Sequence, residues 1–251
     1  MNNYYGRTWA DNARPSEILP GTLVNAFLQR VFLIMAAGLA ITGLTAYWFF
    51  SMTFTEVEGQ LYLNESMSWL VQGPMRWVLM LSPLAFILVI SFGINRMAYT
   101  TASLVFGAFA FVMGISFSFI LAAYTTTSVA TTFFITAGTF AAMAFYGLTT
   151  KADLSKLGSM LMMALFGIII ASVVNWFVGS STLSFAISIL GVLVFTGLTA
   201  YDVQNILRTS LTMDADSEMA KKAAILGALT LYLDFINLFL YLLRLLGARR
   251  D

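Results

Sequence analysis

The chain has 251 residues, of which 59% are hydrophobic and only 10% are charged. Because soluble domains carry about 25% charged residues, this composition and a mean hydropathy of +0.85 indicate an integral membrane protein. The formal net charge of +1 gives no electrostatic basis for a nucleic-acid partner. Cysteine and histidine are both absent, which excludes Ser–His–Asp and Cys–His catalysis. Their absence also removes the usual ligands of zinc, haem and iron–sulfur clusters, so we expect no cofactor.

The N-terminal segment, residues 1–30, is polar and has no apolar stretch before Val31. It contains Pro15 and Pro20 and does not resemble a cleaved signal peptide. We predict a cytoplasmic tail at 1–30, a single transmembrane domain at 31–247 and a C-terminal tail at 248–251, because no Pro- or Gly-rich linker divides the chain.

Apolar stretches then recur along the chain, each near the roughly 20 residues that a membrane-spanning helix requires. They are Val31–Met52, Trp77–Ile94, Ser103–Tyr124, Thr131–Leu148, Met160–Val178, Leu183–Ala200 and Ile225–Leu246. The third and fourth are separated only by the short, weakly polar segment TTTSVATT. The predicted fold is therefore all-α, with seven transmembrane helices.

The distribution of Lys and Arg places the N-terminus inside under the positive-inside rule. In that orientation the inside segments hold Arg7, Arg14, Arg30, Arg96, Lys151, Lys156, Arg208, Lys221 and Lys222. The outside segments hold Arg76, Arg249 and Arg250. The two arginines of the C-terminal tail fit poorly, and a re-entrant last segment would place them inside. We predict a complete last span, because the run after Ile225 is long enough to cross.

The last apolar run, GALTLYLDFINLFLYLLRLLG at 227–247, carries Asp234 in its middle. A charged aspartate near a helix centre costs roughly 2.5–3.5 kcal/mol on insertion scales, so it usually faces the bundle interior. Successive residues of a helix are rotated by about 100° around its axis, which places the polar residues of this helix within one sector of roughly 80°. These residues are Thr230, Asp234, Asn237, Tyr241 and Arg244. This seam predicts a central helix with a functional Asp234. Interhelical hydrogen bonding would explain Thr230, Asn237 and Tyr241, and Arg244 is either an interfacial anchor or a functional residue.

A second carboxyl group, Asp202 in LTAYDVQNIL, ends the sixth apolar stretch. At about 1.5 Å per residue, Asp202 and Asp234 each lie ~12–14 Å from the cytoplasmic end of their helix, so adjacent antiparallel helices would bring them to one level. Two carboxyl groups in a dry site share a proton and titrate in coupled steps. Their oxygens also suit hard cations such as Ca²⁺. The pair is a candidate proton sensor, a transient Ca²⁺ site, or both, whereas the simpler interpretation of Asp202 is an ordinary helix-end residue.

The run GALTLYLDFINLFLYLLRLLG closely resembles the C-terminal signature of the Bax inhibitor family, the transmembrane Bax inhibitor motif proteins, and AYDVQNI resembles that family's sixth-helix motif. The resemblance implies six helices around a central hydrophobic seventh, and an aspartate pair that acts as the pH sensor of a calcium leak. By motif these aspartates match Asp202 and Asp234. The resemblance also implies a basic residue at the cytoplasmic end of the second helix that binds the sixth-helix aspartate, and Arg96 is the matching position. The sequence departs from some relatives because no acidic residue lies between Leu84 and Gly93.

These features predict a pH-sensitive calcium leak channel of a bacterial-type family member, in a bacterial inner membrane and without enzymatic activity. The expected partners are the lipid bilayer, protons, and Ca²⁺ as the permeating ion. The alternative is a non-transporting regulator that binds another membrane protein, such as a membrane protease. The loop at 208–224 is expected to be solvated, or to bind such a partner.

Two other classes of membrane protein fit the sequence less well. Intramembrane aspartyl proteases place their second aspartate after Gly-x-Gly, whereas Leu231, Tyr232 and Leu233 precede Asp234 here. They also need a Pro-Ala-Leu element near the C-terminus, and all four prolines of this chain lie at or before Pro83. A proton-coupled transporter typically shows internal repeats, and the sequence shows no clear repeat.

Overall fold

The computed structural model describes residues 21–57, 60–71, 75–214 and 217–250. The long helices are α1 (Gly21–Thr53), α2 (Met75–Gly93), α3 (Tyr99–Ala123), α4 (Thr126–Thr149), α5 (Ser155–Val178), α6 (Ser181–Ser210) and α7 (Glu218–Leu246). The connection from α1 to α2 contains an antiparallel hairpin of β1 (Phe54–Val57) and β2 (Gln60–Leu63), which pairs Phe54 with Leu63. Short helical turns follow at Glu65–Met67 and Ser68–Val71, and another, Ile94–Arg96, follows α2.

Within the described residues, six helices are long and apolar enough to cross a membrane: α1 and α3 to α7. The second predicted span corresponds to α2, whose apolar helical part, Leu81–Arg96, is shorter than the others. Pro83 lies inside α2, where the missing N–H removes one helical hydrogen bond. The all-α prediction is therefore confirmed, apart from the small hairpin, and six of the predicted spans have a spanning-length helix.

Side-chain caps explain where several helices begin. The hydroxyl groups of Thr125, Ser180 and Ser217 accept hydrogen bonds from backbone N–H groups in the first turns of α4, α6 and α7. Thr125 thereby separates α3 from α4 within the weakly polar TTTSVATT segment. With Ser217 as its cap, α7 begins at Glu218, seven residues before the predicted start at Ile225. The earlier start is possible because EMAKKAA consists of good helix formers.

The N-terminal boundary also differs from the prediction. Helix α1 begins at Gly21, so residues 21–30 of the predicted tail are helical, and the rest of that tail lies outside the described residues. Phe27 is buried, with 2% of its surface exposed, which explains why the helix continues through this polar stretch.

Helix α7 is the most buried helix. It packs against α1, α3, α4 and α6. The buried share of its most apolar part is 61%, against at most 44% in the other five spanning-length helices. Helices α2 and α5 pack mainly on α3 and α6 instead. Four helices, rather than six, therefore form the main contacts of the last helix.

The C-terminal tail shows that α7 runs through the whole bundle. Its residues dock beside the α3–α4 connection, where the Thr125 N–H donates to the Ala248 carbonyl at 3.0 Å and the Arg250 N–H donates to the Ala123 carbonyl at 3.1 Å. We call this the tail end of the bundle. The α4–α5 and α6–α7 connections lie at the opposite end, which we call the loop end. With 29 residues, α7 extends about 43 Å, so it is long enough to cross a membrane.

Close helix contacts depend on small residues. A Cβ atom at Gly147 of α4 would collide with the backbone carbonyl of Ala200 on α6, whereas a Cβ at Gly138 of the same helix would meet no atom within 4 Å. These two glycines form a matched pair, because the same substitution changes the intrinsic helix propensity of α4 equally at both positions.

We therefore expect Gly147→Val to destabilise the protein by about 1–3 kcal/mol, as is typical of overpacking, and Gly138→Val to have little effect. Thermal melting of detergent-purified protein, followed by the loss of the monodisperse gel-filtration peak, measures the difference. Equal melting temperatures for the two variants would contradict the close α4–α6 contact.

Candidate functional site

The structure brings together the two aspartates of α6 and α7. Asp234 is buried, with 5% of its surface exposed, and Asp202 is half-buried. Their carboxyl groups lie within hydrogen-bonding contact. Among the described residues, no N–H or hydroxyl group donates to Oδ2 of Asp234. A proton held between the two carboxyl groups would therefore satisfy a buried acceptor that otherwise has no donor.

A cavity of about 230 Å³ reaches Asp202 from the loop end. Its walls include Phe27 of α1, Asn205 and Thr209 of α6, and Thr230 of α7. Asn205 is exposed and lies between Asp202 and the end of α6. The two carboxyl groups thus have different surroundings: Asp202 faces the cavity, and Asp234 lies among packed helices.

The hydrogen bonds of Thr230 and Asn237 remain within α7. The Thr230 hydroxyl donates to the Leu226 carbonyl at 3.1 Å, and the Asn237 amide donates to the Leu233 carbonyl at 2.8 Å. Polar side chains in helices commonly make such bonds to the carbonyl four residues earlier. These bonds are intrahelical and so do not support the interpretation of the two residues as interhelical hydrogen-bonding groups, and Thr230 faces the cavity beside Asp202.

Tyr241 and Arg244 form a packing contact towards the tail end of α7. The Tyr241 ring stacks on Phe195 with a centroid distance of 5.8 Å, and Gly191 of α6 gives it room, because a Cβ there would meet the ring at 2.6 Å. Arg244 is exposed and its guanidinium lies 5.7 Å from the Tyr241 ring centroid. This geometry favours the anchor interpretation of Arg244.

Arg96 lies apart from the aspartate pair. It is exposed in the short turn that follows α2, and α2 packs mainly on α3. Among the described residues, Arg208, Lys222 and Arg250 form ion pairs, whereas Arg96 forms none with Asp202. The implied contact between Arg96 and the sixth-helix aspartate is absent from this conformation.

Sequence reasoning missed the polar contact of Tyr232, two residues before Asp234. Tyr232 is fully buried. Its hydroxyl lies 2.7 Å from that of Thr42 on α1, which in turn donates to the Ala110 carbonyl of α3 at 2.9 Å. This chain of hydrogen bonds joins three helices on another face of α7. A tyrosine inside LYLDF was the available signal, because a buried Tyr hydroxyl usually finds a partner.

Sequence reasoning also missed Gln204, two residues after Asp202. Gln204 is buried, with 6% of its surface exposed. Its amide oxygen accepts from the Leu154 N–H at 3.0 Å, and its amide nitrogen donates to the Ala152 carbonyl at 2.8 Å. The α4–α5 connection is thus tied to the segment of α6 that carries Asp202. Only the tertiary structure shows this, because the partners lie about 50 positions apart.

An exposed ion pair reinforces the same tie at the loop end. Arg208 donates to Asp153 Oδ1 at 2.7 Å and to the Ser155 hydroxyl at 3.0 Å. Hydrogen bonds from Ser155, together with the Arg208 guanidinium, hold the pKa of Asp153 well below its usual range. Asp153 therefore stays ionised throughout the physiological pH range.

Comparison with known proteins assigns the chain to a protein family. The family model described as "Inhibitor of apoptosis-promoting Bax1" matches residues 24–251. The chain belongs to this family. It is 44% identical to a protein of Borreliella burgdorferi over 90% of this chain and 94% of the relative. It is also 40% identical to the inner membrane protein YbhL of Escherichia coli, over 94% of this chain and 97% of that protein.

Membership of the Bax inhibitor family confirms the resemblance drawn from the α6 and α7 motifs, and it identifies the chain as an integral membrane protein. Within the described residues, no group of three or more His, Cys, Asp or Glu side chains could hold a metal ion. Two carboxyl groups fall well short of the roughly six to eight oxygen ligands that a resident Ca²⁺ takes.

The loop-end ion pair yields a pH prediction. A carboxyl group whose pKa is depressed by folding stabilises the folded state at every pH above its unfolded value, and this stabilisation is lost only as the pH falls through the folded value. For Asp153 that loss lies far below pH 6. We expect Asp153→Asn to lower the melting temperature slightly and by the same amount at pH 6 and pH 8. A deficit that differs between these two pH values would contradict this assignment.

Proposed function

We propose that this Bax inhibitor family protein is a passive Ca²⁺ leak across a bacterial inner membrane, and that the protonation of Asp202 and Asp234 gates it. The observation that carries the proposal is the contact between the carboxyl group of Asp234, on the most buried helix of the bundle, and that of Asp202 on α6. Carboxyl groups are costly inside a membrane, and they generally mark ion or proton pathways. Neither a catalytic residue nor a cofactor takes part in this function.

The gate works through the shared proton. With the proton in place, the two carboxyl groups are joined by a hydrogen bond, and α6 and α7 stay together. Without it, two like charges are in contact, and unit charges about 4 Å apart repel by roughly 4 kcal/mol at an effective dielectric constant near 20. Of the neighbouring helices, α3 and α4 carry no charged residue, and α1 carries one, Arg30.

Loss of the proton has a second, opposite consequence. An ionised Asp202 attracts cations, and Arg96 is the residue that the family resemblance pairs with it. Repulsion between the aspartates would open the contact, whereas a new Asp202–Arg96 ion pair would pull α2 towards α6 and close it. The slope of flux against pH reports which of the two dominates.

The pathway begins at the cavity of the loop end. Asp202 lines this cavity, and its carboxyl oxygens suit a hard divalent cation. Beyond it, Asp234 is buried and followed by packed aromatic rings, among them Phe235 against Phe140. Passage of Ca²⁺ therefore requires α6 or α2 to move relative to α7.

The topology follows from the same proposal. Helix α2 serves as the remaining span, so that seven helices cross the membrane and the N-terminus is cytoplasmic. The loop end, with Lys151, Lys156, Arg208 and Lys221, is then cytoplasmic, as the positive-inside rule favours. The E. coli relative is named an inner membrane protein, which supports the choice of membrane.

The test is Ca²⁺ entry into liposomes that contain the purified protein and a trapped calcium dye, recorded from pH 6 to pH 8. We expect wild-type flux to change by up to about a hundredfold across these two pH units, because a gate biased by one proton shifts by at most ~1.4 kcal/mol per pH unit. Asp202→Asn and Asp234→Asn should each abolish this pH dependence. Asp153→Asn is the matched control, because it removes an exposed carboxyl group of the same end and should leave the profile unchanged.

The same experiment distinguishes the proposed Ca²⁺ leak from the alternative function, that of a non-transporting regulator. Flux no greater than that of protein-free liposomes, from protein that melts at its normal temperature, would overturn the channel proposal. A non-transporting regulator of another membrane protein would then be the better account. In that case the aspartate contact would serve only to hold α6 against α7.

A further inference from the structure

The surface of the bundle also carries an apolar groove, separate from the cavity at Asp202. A groove of about 310 Å³ runs along the bundle surface where α1, α3, α4 and α7 meet. Its floor is formed by Phe235, Ile236 and Phe239 of the central helix. The lining is apolar apart from the hydroxyl groups of Thr42, Tyr47 and Thr126, and its volume lies at the lower end of the ~300–1,000 Å³ typical of ligand pockets.

The open side of the groove faces the surroundings of the bundle at membrane depth. Tyr47 of α1 and Phe134 of α4 form its rim and are 71% and 73% exposed. Both residues lie on helices that are long and apolar enough to cross a membrane. In a bilayer, whatever enters from this side comes from the hydrocarbon layer.

The length of the groove matches one leaflet. Along α1 its lining runs from Leu39 to Tyr47, and along α4 from Thr126 to Phe134. Either stretch extends about 12 Å at 1.5 Å per residue, close to half of the ~30 Å hydrocarbon core. One end lies at Thr126, the first residue of α4, so the groove starts at the tail-end interface and descends towards the membrane centre.

A guanidinium group lies at that interface end. Arg250 donates to the Thr126 hydroxyl from Nη2 and to the Tyr124 carbonyl from Nε, each at 3.2 Å. Its Nη1 is 3.9 Å from a carboxylate oxygen of Glu56, and 22% of the side chain is exposed. The guanidinium also lies 5.7 Å from the Phe50 ring centroid; its side chain is thus partly exposed, and its geometry matches phosphate.

We propose that this groove binds one acyl chain of a phospholipid whose phosphate meets Arg250. An apolar slot of leaflet depth with a cation at its interface end has the charge distribution of a phospholipid. The bound chain lies against Phe235 and Ile236, directly after Asp234, and supports the packing of the central helix. This binding is independent of Ca²⁺ flux, so its failure and that of the proposed function are distinguishable.

Gly43 provides a specific test. It lines the groove, and a Cβ atom there would meet nothing within 4 Å, so Gly43→Phe fills the groove without a backbone collision. Gly107→Phe is the matched control, because Gly107 of α3 has the same open space and lies outside the groove lining. The probe is phosphatidylglycerol with a diazirine in one acyl chain, reconstituted with the full-length protein and crosslinked by light.

We expect crosslinks in the wild type and in Gly107→Phe to concentrate on residues 39–47 and 126–134. Crosslinking to these segments should fall by about tenfold in Gly43→Phe. Arg250→Gln should reduce the preference for phosphatidylglycerol over phosphatidylcholine while crosslinks persist. Helix α5, which is only 11% buried in its most apolar part, reports contact with bulk lipid.

Three outcomes would overturn the proposal. Wild-type crosslinks spread as densely over α5 as over the groove would show bulk lipid only. Unchanged crosslinking in Gly43→Phe, with normal melting, would place the lipid elsewhere. Protein–protein crosslinks through Tyr47 in place of lipid would show that a second copy of the chain covers the groove.

Discussion

The burial of Asp234 is the constraint on which the rest of the bundle depends. A carboxyl group near the middle of a spanning helix has to be kept from lipid and given a partner. Helix α7 meets both requirements: it packs against α1, α3, α4 and α6, and α6 supplies Asp202 at the same level. The interior position of α7 keeps this carboxyl group from lipid, and the antiparallel packing of α6 beside α7 supplies its partner. A bundle held only by apolar packing would have no comparable reason to fix the rotation of its central helix.

Close packing contacts fix the rotation of α7 about its own axis. Gly191 gives room to the Tyr241 ring, and Gly147 lets α4 approach the backbone of α6. On another face of α7, the Tyr232 hydroxyl reaches α1 through Thr42. Because lipid is as apolar as the side chains, helices in a membrane associate through such small-residue contacts and a few hydrogen bonds. Any movement that separates Asp202 from Asp234 must also act on these contacts, so a gate at the pair would be coupled to the packing of the whole central helix.

The two ends of the bundle differ in their contacts. At the loop end a cavity reaches Asp202, while Gln204 and Arg208 tie α6 to the α4–α5 connection. At the tail end the last residues dock on the α3–α4 connection, and Arg250 bridges that connection and the β1 strand. The polar residues of α7 are likewise distributed between the two ends: Thr230 lines the cavity at the loop end, and Arg244 lies towards the tail end.

The sequence by itself determined the class of protein, the helices, the family and the two aspartates, because hydropathy and local motifs express the requirements of a bilayer directly. Its errors in α7 concern local hydrogen bonds: a Ser217 cap begins the helix at Glu218, and Asn237 bonds within its own helix. Only the tertiary structure decided which groups meet. It placed the two carboxyl groups in contact, left Arg96 apart from them, and joined Gln204 to a connection about 50 positions away. The physical reason is that a contact between distant segments depends on how helices approach and rotate, and no local pattern of residues records that geometry.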